Sequence, residues 1–352
     1  MAAPATTRYD LDREAFADVL DGEPRYRVDQ VWDGLYTQFA DPSDITNLPK
    51  ALRARLEQDL PPALALATES VSEGGDTVKW LWRLADGSAV ETVLMHYPER
   101  STVCVSSQAG CAMACSFCAT GQAGFERHLS VGEIVEQVVV AARTARDSGR
   151  RLSNVVFMGM GEPLANYDRM WAAIERIHGS IGLSARHLTV STVGVVPGIE
   201  RLTAESLPVN LAVSLHAAND DLRNELVPLN RTYPIERLLE ACSEYVDATH
   251  RRLSFEWAMI DGVNDRDLDV MQLADAARTV RAHVNLIPLN PTPGYPVRGS
   301  SPERVQEFCD ALRAAGVNAT IRQNRGTEID AACGQLRANH EATPVARPRR
   351  RR

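Results

Sequence analysis

From Thr102 onward six short apolar runs recur, at residues 102–106, 154–158, 187–192, 209–215, 253–260 and 284–289. Between them lie segments with apolar residues at helical spacing, among them 131–146, 167–178, 235–249 and 268–281. Such an alternation admits few solutions. Strands joined by helical crossovers run parallel, bury both faces of one sheet and collect ligands at their C-terminal ends. The expected fold class is α/β, and no tandem repeat beyond this βα period is present.

The chain ahead of residue 102 reads differently. Helical apolar spacing runs from Asp10 to about Leu60, through Phe16, Val19 and Leu20, then Val31, Trp32, Leu35, Tyr36 and Phe39. A further helix opens at 44–49 and runs through Leu56, which makes this region a small helical domain. Residues 77–83 and 89–96, around the turn Ala85-Asp86-Gly87-Ser88, read as a β-hairpin leading into the main domain. A length of 352 residues suits one large catalytic domain and a smaller one.

No apolar stretch reaches the roughly 18 residues of a membrane span. Residues 1–9 lack the charged and apolar regions of a signal peptide, so a cytoplasmic protein with no membrane partner is expected. The formal net charge of −8 argues against a general nucleic-acid coat. Charge is unevenly placed, however. The chain ends Arg347-Pro348-Arg349-Arg350-Arg351-Arg352, a run expected to be a solvated, disordered tail with a weak electrostatic role on RNA left open.

Seven cysteines in such a chain point to metal or catalytic thiols rather than a disulfide framework. Three of them form Cys111-Ala-Met-Ala-Cys115-Ser-Phe-Cys118, in a loop after the first apolar run. Soft thiolates held this close favour zinc or an iron–sulfur cluster. A structural zinc site normally closes with four ligands, and no second cysteine knuckle follows this one. Three corners of a cubane cluster leave the fourth iron open, the arrangement that chelates and reductively cleaves S-adenosylmethionine (SAM).

Polar residues interrupt the apolar runs where each would reach the sheet's C-terminal end. Gly159-Met160-Gly161-Glu162-Pro163 follows the second run, Ser191 and Thr192 end the third, Ser214-Leu215-His216 ends the fourth, and Asn290 follows the sixth. Any one of them is as readily a turn or capping residue. Four strand ends in one series make a shared pocket the better account. Cys104 falls in the first strand, and Cys333 in the loop Gly326-Thr-Glu-Ile-Asp-Ala-Ala-Cys333-Gly334-Gln335-Leu336. Cys242 and Cys309 fall in helical patterns and are expected in the core.

Taken together, the CxxxCxxC loop, Gly-Met-Gly-Glu-Pro, the segment from Ser191 to Gly198 and the Cys333 loop resemble the RlmN family of dual-specificity radical-SAM RNA methyltransferases, which act on rRNA and tRNA. The similarity covers about residues 90 to 336, with a weaker helical match upstream. It implies an incomplete (β/α)6 radical-SAM barrel at 101–340, carrying a C-terminal cysteine loop. It also implies an N-terminal helical accessory domain at 1–75 that helps hold RNA, a hairpin linker at 76–100 and a disordered tail at 341–352.

The implied reaction is methylation of C2 of adenine 2503 in 23S rRNA and of adenine 37 in some tRNAs. That carbon is electron-poor and bears a hydrogen, so it cannot attack a sulfonium methyl as an amine would. By resemblance, Cys111, Cys115 and Cys118 hold one [4Fe-4S] cluster, and two SAM molecules are consumed per methylation. Cys333 takes a methyl group from the first, and the second yields the radical that activates it. Glu91 is the proton acceptor, and Cys104 attacks Cys333 to free the base through a transient disulfide. Gly161, Glu162, Ser191, Ser214, Leu215, His216 and Asn290 form the SAM pocket. The implied partners are 23S rRNA, tRNA and an electron donor such as flavodoxin, with the protein a monomer.

Two alternatives stand beside this reading. A Cfr-type relative methylates C8 of the same rRNA adenine with the same thiols, and the longer N-terminal part favours C2. A non-catalytic iron–sulfur or zinc RNA-binding protein would need neither the pairing of Cys104 with Cys333 nor a SAM pocket.

Overall fold

The computed structural model describes residues 6–290, 292, 297–331 and 335–336. Three helices come first, α1 (Arg13–Val19), α2 (Tyr26–Tyr36) and α3 (Lys50–Asp59), the last entered directly after Pro49. An antiparallel stretch follows, β1 (Ala65–Val71), β2 (Thr77–Arg83) and β3 (Ala89–His96). Then β4 (Ser101–Cys104) leads into a short ribbon, β5 (Gln108–Gly110) and β6 (Phe125–His128), with the helix α4 (Ala119–Ala123) between its strands.

The repeating part runs α5 (Val131–Asp147), β7 (Leu152–Phe157), α6 (Tyr167–Arg176), β8 (Leu188–Thr192), α7 (Val196–Thr203), β9 (Asn210–Ser214), α8 (Asp220–Leu226) and α9 (Ile235–Thr249). It closes with β10 (Leu253–Met259), α10 (Asp267–Thr279), β11 (His283–Pro288), α11 (Pro302–Ala314) and β12 (Ala319–Ile321). The strands form one sheet in the order β1-β2-β3-β4-β7-β8-β9-β10-β11-β12. From β4 to β12 every neighbour is parallel, whereas β1 to β4 pair antiparallel. Among the described residues its two edges, β1 and β12, do not pair with each other, so the α/β barrel is incomplete, as expected.

All six strands anticipated from the apolar runs are present. Four others escape the sequence: β1, whose alternation is mostly exposed, and β5, β6 and β12, at three or four residues too short to show a period. The hairpin is no separate ribbon, because β3 pairs with β4 and extends the main sheet.

Helix α5 opens with a capping box in which the Ser130 hydroxyl accepts from Glu133 N–H and the Glu133 carboxylate accepts from Ser130 N–H. It packs on both halves of the molecule. Phe16, Leu35 and Leu52 of the N-terminal helices share one apolar core with Val138 of α5, Phe157 and Leu211. Buried Arg8 pairs with Asp41 at 2.7 Å, and Arg143 of α5 holds the same carboxylate at 2.9 Å. Among the described residues no helix is long and apolar enough to cross a membrane.

Glu136 of α5 accepts from the Ala63 N–H at 2.7 Å, and burial pushes its carboxyl up to about 7. A carboxyl raised in the folded state holds its proton where the unfolded chain has lost it, so stability falls as pH rises through about 7. Glu136→Gln keeps an oxygen for Ala63. Urea unfolding from about pH 5.5 to 8 should show the variant gaining on the parent as pH rises, by roughly 3 kcal/mol at most; parallel curves would contradict the assignment.

Candidate active site

One recess of about 1480 Å³, mouth included, opens at the C-terminal ends of the parallel strands. Its wall contains Cys104, Cys111, Cys115, Cys118, Gly161, Glu162, Ser191, Ser214, His216 and Asn290, residues contributed by separate strand ends. Leu215 is fully buried and presents its carbonyl inward to Arg223 rather than its side chain to the recess. Glu91 does not line the wall but stands next to residues that do. Val93 is paired across β3 and β4 with Cys104, and Glu91, two residues earlier on β3, shares their face. Lys79 of β2 pairs with Glu91 at 3.1 Å and also donates to the Asp330 carbonyl at 3.2 Å. Cys333 and Gly334 lie outside the described residues, as does the arginine tail. Ala331 and Leu336, on either side of Cys333 in sequence, both line the recess, and Thr120 of α4 donates to the Leu336 carbonyl at 2.6 Å.

The cysteine loop is held by its own backbone. Cys111 N–H donates to Gly124 O at 2.7 Å, Cys118 N–H to Cys115 O at 3.2 Å, and Ser116 N–H to Leu226 O at 3.2 Å. Gly110 has φ +70°, and a Cβ there would meet Gly124 O at 2.0 Å, so only glycine permits the turn. Burial, reinforced by repulsion from the neighbouring cysteines and Glu162, pushes the Cys111 thiol up to about 12 and Cys115 well above its ordinary range. Three thiolates here need a compensating cation, and iron supplies one. Among the described residues no set of three Cys, His, Asp or Glu converges on a single metal ion. Convergence is not required of a cubane, where each thiolate takes its own iron, so the soft three-sulfur donor set fits a cluster.

Behind the loop Arg223 is almost wholly buried. It donates to Leu215 O at 3.1 Å, Val193 O at 2.6 Å and Asn230 Oδ1 at 2.8 Å. Burial pulls its guanidinium down to about 10, so it remains a cation at neutral pH and ties the loops after β8 and β9 together.

Glu162 is a buried carboxylate of the wall. Its oxygens accept from Leu164 N–H at 3.0 Å and Val193 N–H at 2.9 Å, and burial nonetheless pushes it up to about 7. Its own N–H donates to Gln108 Oε1 at 2.8 Å. Such a group can meet an ammonium at the floor of the recess. His216 Nδ1 accepts from the Ala258 N–H at 3.0 Å, which puts the ring proton on Nε2. Burial, then the charge of Arg223, pulls the imidazole down to about 3, so the ring is neutral and works as a donor, not a base. Phe117 of the cysteine loop packs edge-on against it at 4.6 Å. Asn290 Oδ1 accepts from Asn324 at 2.8 Å.

The sequence reading missed the residues that hold these groups in place. Ser106 donates to the Glu91 carbonyl at 2.6 Å and accepts from Met160 N–H at 2.9 Å, bridging β3 to the Gly-Met-Gly-Glu loop. Fully buried Gln137 accepts from the Thr92 hydroxyl and the Ser106 N–H, both at 2.8 Å, and donates to Ser106 O. A visible signal existed for Gln137 alone, a polar residue on the apolar stripe of α5. A buried arginine such as Arg223 looks in sequence like a surface one. Cys242 and Cys309 are buried in the core, as expected.

Comparison with known proteins agrees with this architecture. Residues 105–274 match the model of the Radical SAM superfamily. The chain is 53% identical to a dual-specificity RNA methyltransferase RlmN of Parafrankia sp. (strain EAN1pec), over 93% of this chain and 89% of that protein. A protein of the same name from Chloroflexus aurantiacus is 49% identical over 94% of this chain and 93% of its own length. The crystal structure of a radical SAM methyltransferase from Sphaerobacter thermophilus superposes with a TM-score of 0.92 at 51% identity, covering 95% of this chain and all of that one.

Gly161 has φ +97°, and a Cβ on it would meet Gln108 Cβ at 2.5 Å and Gln108 N at 2.8 Å. Gly161→Ala should therefore lower stability by about 2 kcal/mol or more, since strain and clash coincide. Denaturant melts check this; an unchanged midpoint would mean that the loop adjusts freely.

Proposed function

Because the chain belongs to the RlmN family of radical-SAM RNA methyltransferases, we propose that it acts in the cytoplasm to methylate C2 of an adenine in 23S rRNA and of an adenine in certain tRNAs. The reading is supported above all by one recess in which the cysteine loop, Glu162, the polar strand ends, Cys104 and the residues flanking the Cys333 segment share a wall.

Cys111, Cys115 and Cys118 would hold the [4Fe-4S] cluster, and Gly161, Glu162, Ser191, Ser214, Leu215, His216 and Asn290 the SAM. When bound, these groups supply the electron, the carbon radical and the methyl group that an unactivated ring C–H demands. The chain's own residues do the rest. Glu162, ionised, pairs with the ammonium of SAM, and neutral His216 donates from Nε2. Cys333 carries the methyl group as a thioether and through it becomes joined to the base. Glu91, held by Lys79, takes the proton from the ring carbon. The Cys104 thiolate then attacks the Cys333 sulfur, the bond from that sulfur to the base's methylene carbon breaks, and that carbon takes the proton held by Glu91 to become the methyl group, leaving a disulfide between the two cysteines. Reduction of that disulfide restores both thiols. The base must reach the recess unstacked from its neighbours.

The direct test is mass spectrometry of nucleosides from unmodified 23S rRNA and tRNA after anaerobic incubation with cluster-reconstituted protein, SAM and a reductant. 2-Methyladenosine is expected; 8-methyladenosine would move the assignment to the C8 class. Cys118→Ala should lose the cluster's visible absorbance and all methylation. Cys333→Ala should keep the absorbance and lose methylation by at least about a thousandfold, as removal of a covalent carrier does. Normal methylation by Cys333→Ala would remove the carrier from the mechanism.

A further inference from the structure

We propose that Arg100 and Arg325, stacked on Tyr97 where the recess meets solvent, grip phosphates of the substrate RNA next to the extruded nucleotide; this rests on the RNA reading above. Tyr97 follows β3, is half-buried and lines the recess together with Arg322 and Arg325, whereas Arg100 is exposed. The guanidinium of Arg100 lies over the Tyr97 ring at 4.6 Å and that of Arg325 at 4.3 Å. Arg325 also donates to the His96 carbonyl at 3.1 Å. Its neighbour Asn324 donates to Pro288 O at 2.9 Å and to Asn290 at 2.8 Å. The arginine-bearing segment is thus bolted both to β3 and to the end of β11.

Two like charges share one ring, and among the described residues neither Arg100 nor Arg325 pairs with a carboxylate. Other surface arginines of this acidic chain do pair, Arg127 with Asp86, Arg201 with Asp168 and Arg304 with Asp267. Adjacent cations without a counter-charge repel unless an anion sits between them. Stacking on an aromatic ring keeps a guanidinium's planar fork of donors oriented, which suits bidentate contact with phosphate. The location selects the phosphate's source. A base drawn into the recess leaves its flanking backbone at the mouth, and unstacking it is offset by contacts to that backbone.

The experiment compares holoprotein with the Arg100→Ala/Arg325→Ala double variant on unmodified 23S rRNA transcript, reading RNA affinity by filter binding at several salt concentrations and methylation by nucleoside mass spectrometry. The double variant should bind about tenfold or more weakly, and the slope of log affinity against log salt should shrink by about 1 to 2. KM for RNA should rise more than kcat falls. Tyr97→Phe should retain affinity and Tyr97→Leu lose part of it, because only the ring is needed. Should the double variant melt early, Arg100→Glu at the exposed position gives the same readout. Unchanged affinity and salt slope in variants of a protein that does methylate RNA would overturn this inference alone. A parent protein that neither binds nor methylates RNA would overturn the functional reading beneath it.

Discussion

The site depends on a backbone-to-backbone approach that a side chain would forbid. A Cβ on Gly159 would lie 2.6 Å from Val105 O, and one on Gly161 would run into Gln108. The loop after β7 therefore lies directly against the loop after β4, and Ser107 N–H and Gln108 N–H both donate to Met160 O. That contact places Glu162 beside the cysteine loop, because the Glu162 N–H finds its acceptor in Gln108. Cys104, Glu162 and the three clustered cysteines thus share a wall as a consequence of two missing methyl groups.

Around this contact the molecule buries polar groups, and most are answered by a partner, the Ser107 hydroxyl being an exception. Gln137 satisfies both backbone groups of Ser106 and the Thr92 hydroxyl, while the Ser106 hydroxyl joins β3 to the Met160 amide. Unpaired, such groups would each cost about 1–3 kcal/mol, so the network also dictates one arrangement of α5, β3 and β4. The buried charges follow the same rule. Arg223 is surrounded by carbonyls, and Lys79 lies against Glu91. Breaking such a pair from one side leaves a charge stranded, which is why these residues behave as a unit.

Electrostatics then separates the roles available to similar side chains. Glu162 and Glu91 are both buried carboxylates, one bonded to backbone N–H groups in the recess and one paired with a lysine next to it. His216 is kept neutral by burial and by its neighbour Arg223, so its contribution is a directed N–H. At the rim the pattern differs: among the described residues Arg100 and Arg325 stack on the Tyr97 ring and neither pairs with a carboxylate.

Local pattern carried a good part of this protein. The six apolar runs foretold strands β4 and β7 to β11 to within two residues, because a buried parallel strand between amphipathic helices leaves a periodic signature. Cysteine spacing marked the thiolate loop, since three ligands from one short loop must be close in sequence. The chain by itself also marked the strand ends where polar residues interrupt apolar runs. Only the tertiary structure decided which groups support them. Lys79 meets the Asp330 carbonyl across 251 residues, Gln137 meets Ser106 across 31, and Arg223 reaches Val193 across 30. No period or spacing announces such pairs. They exist because a buried donor must find an acceptor wherever packing brings one, and packing is a property of the whole chain.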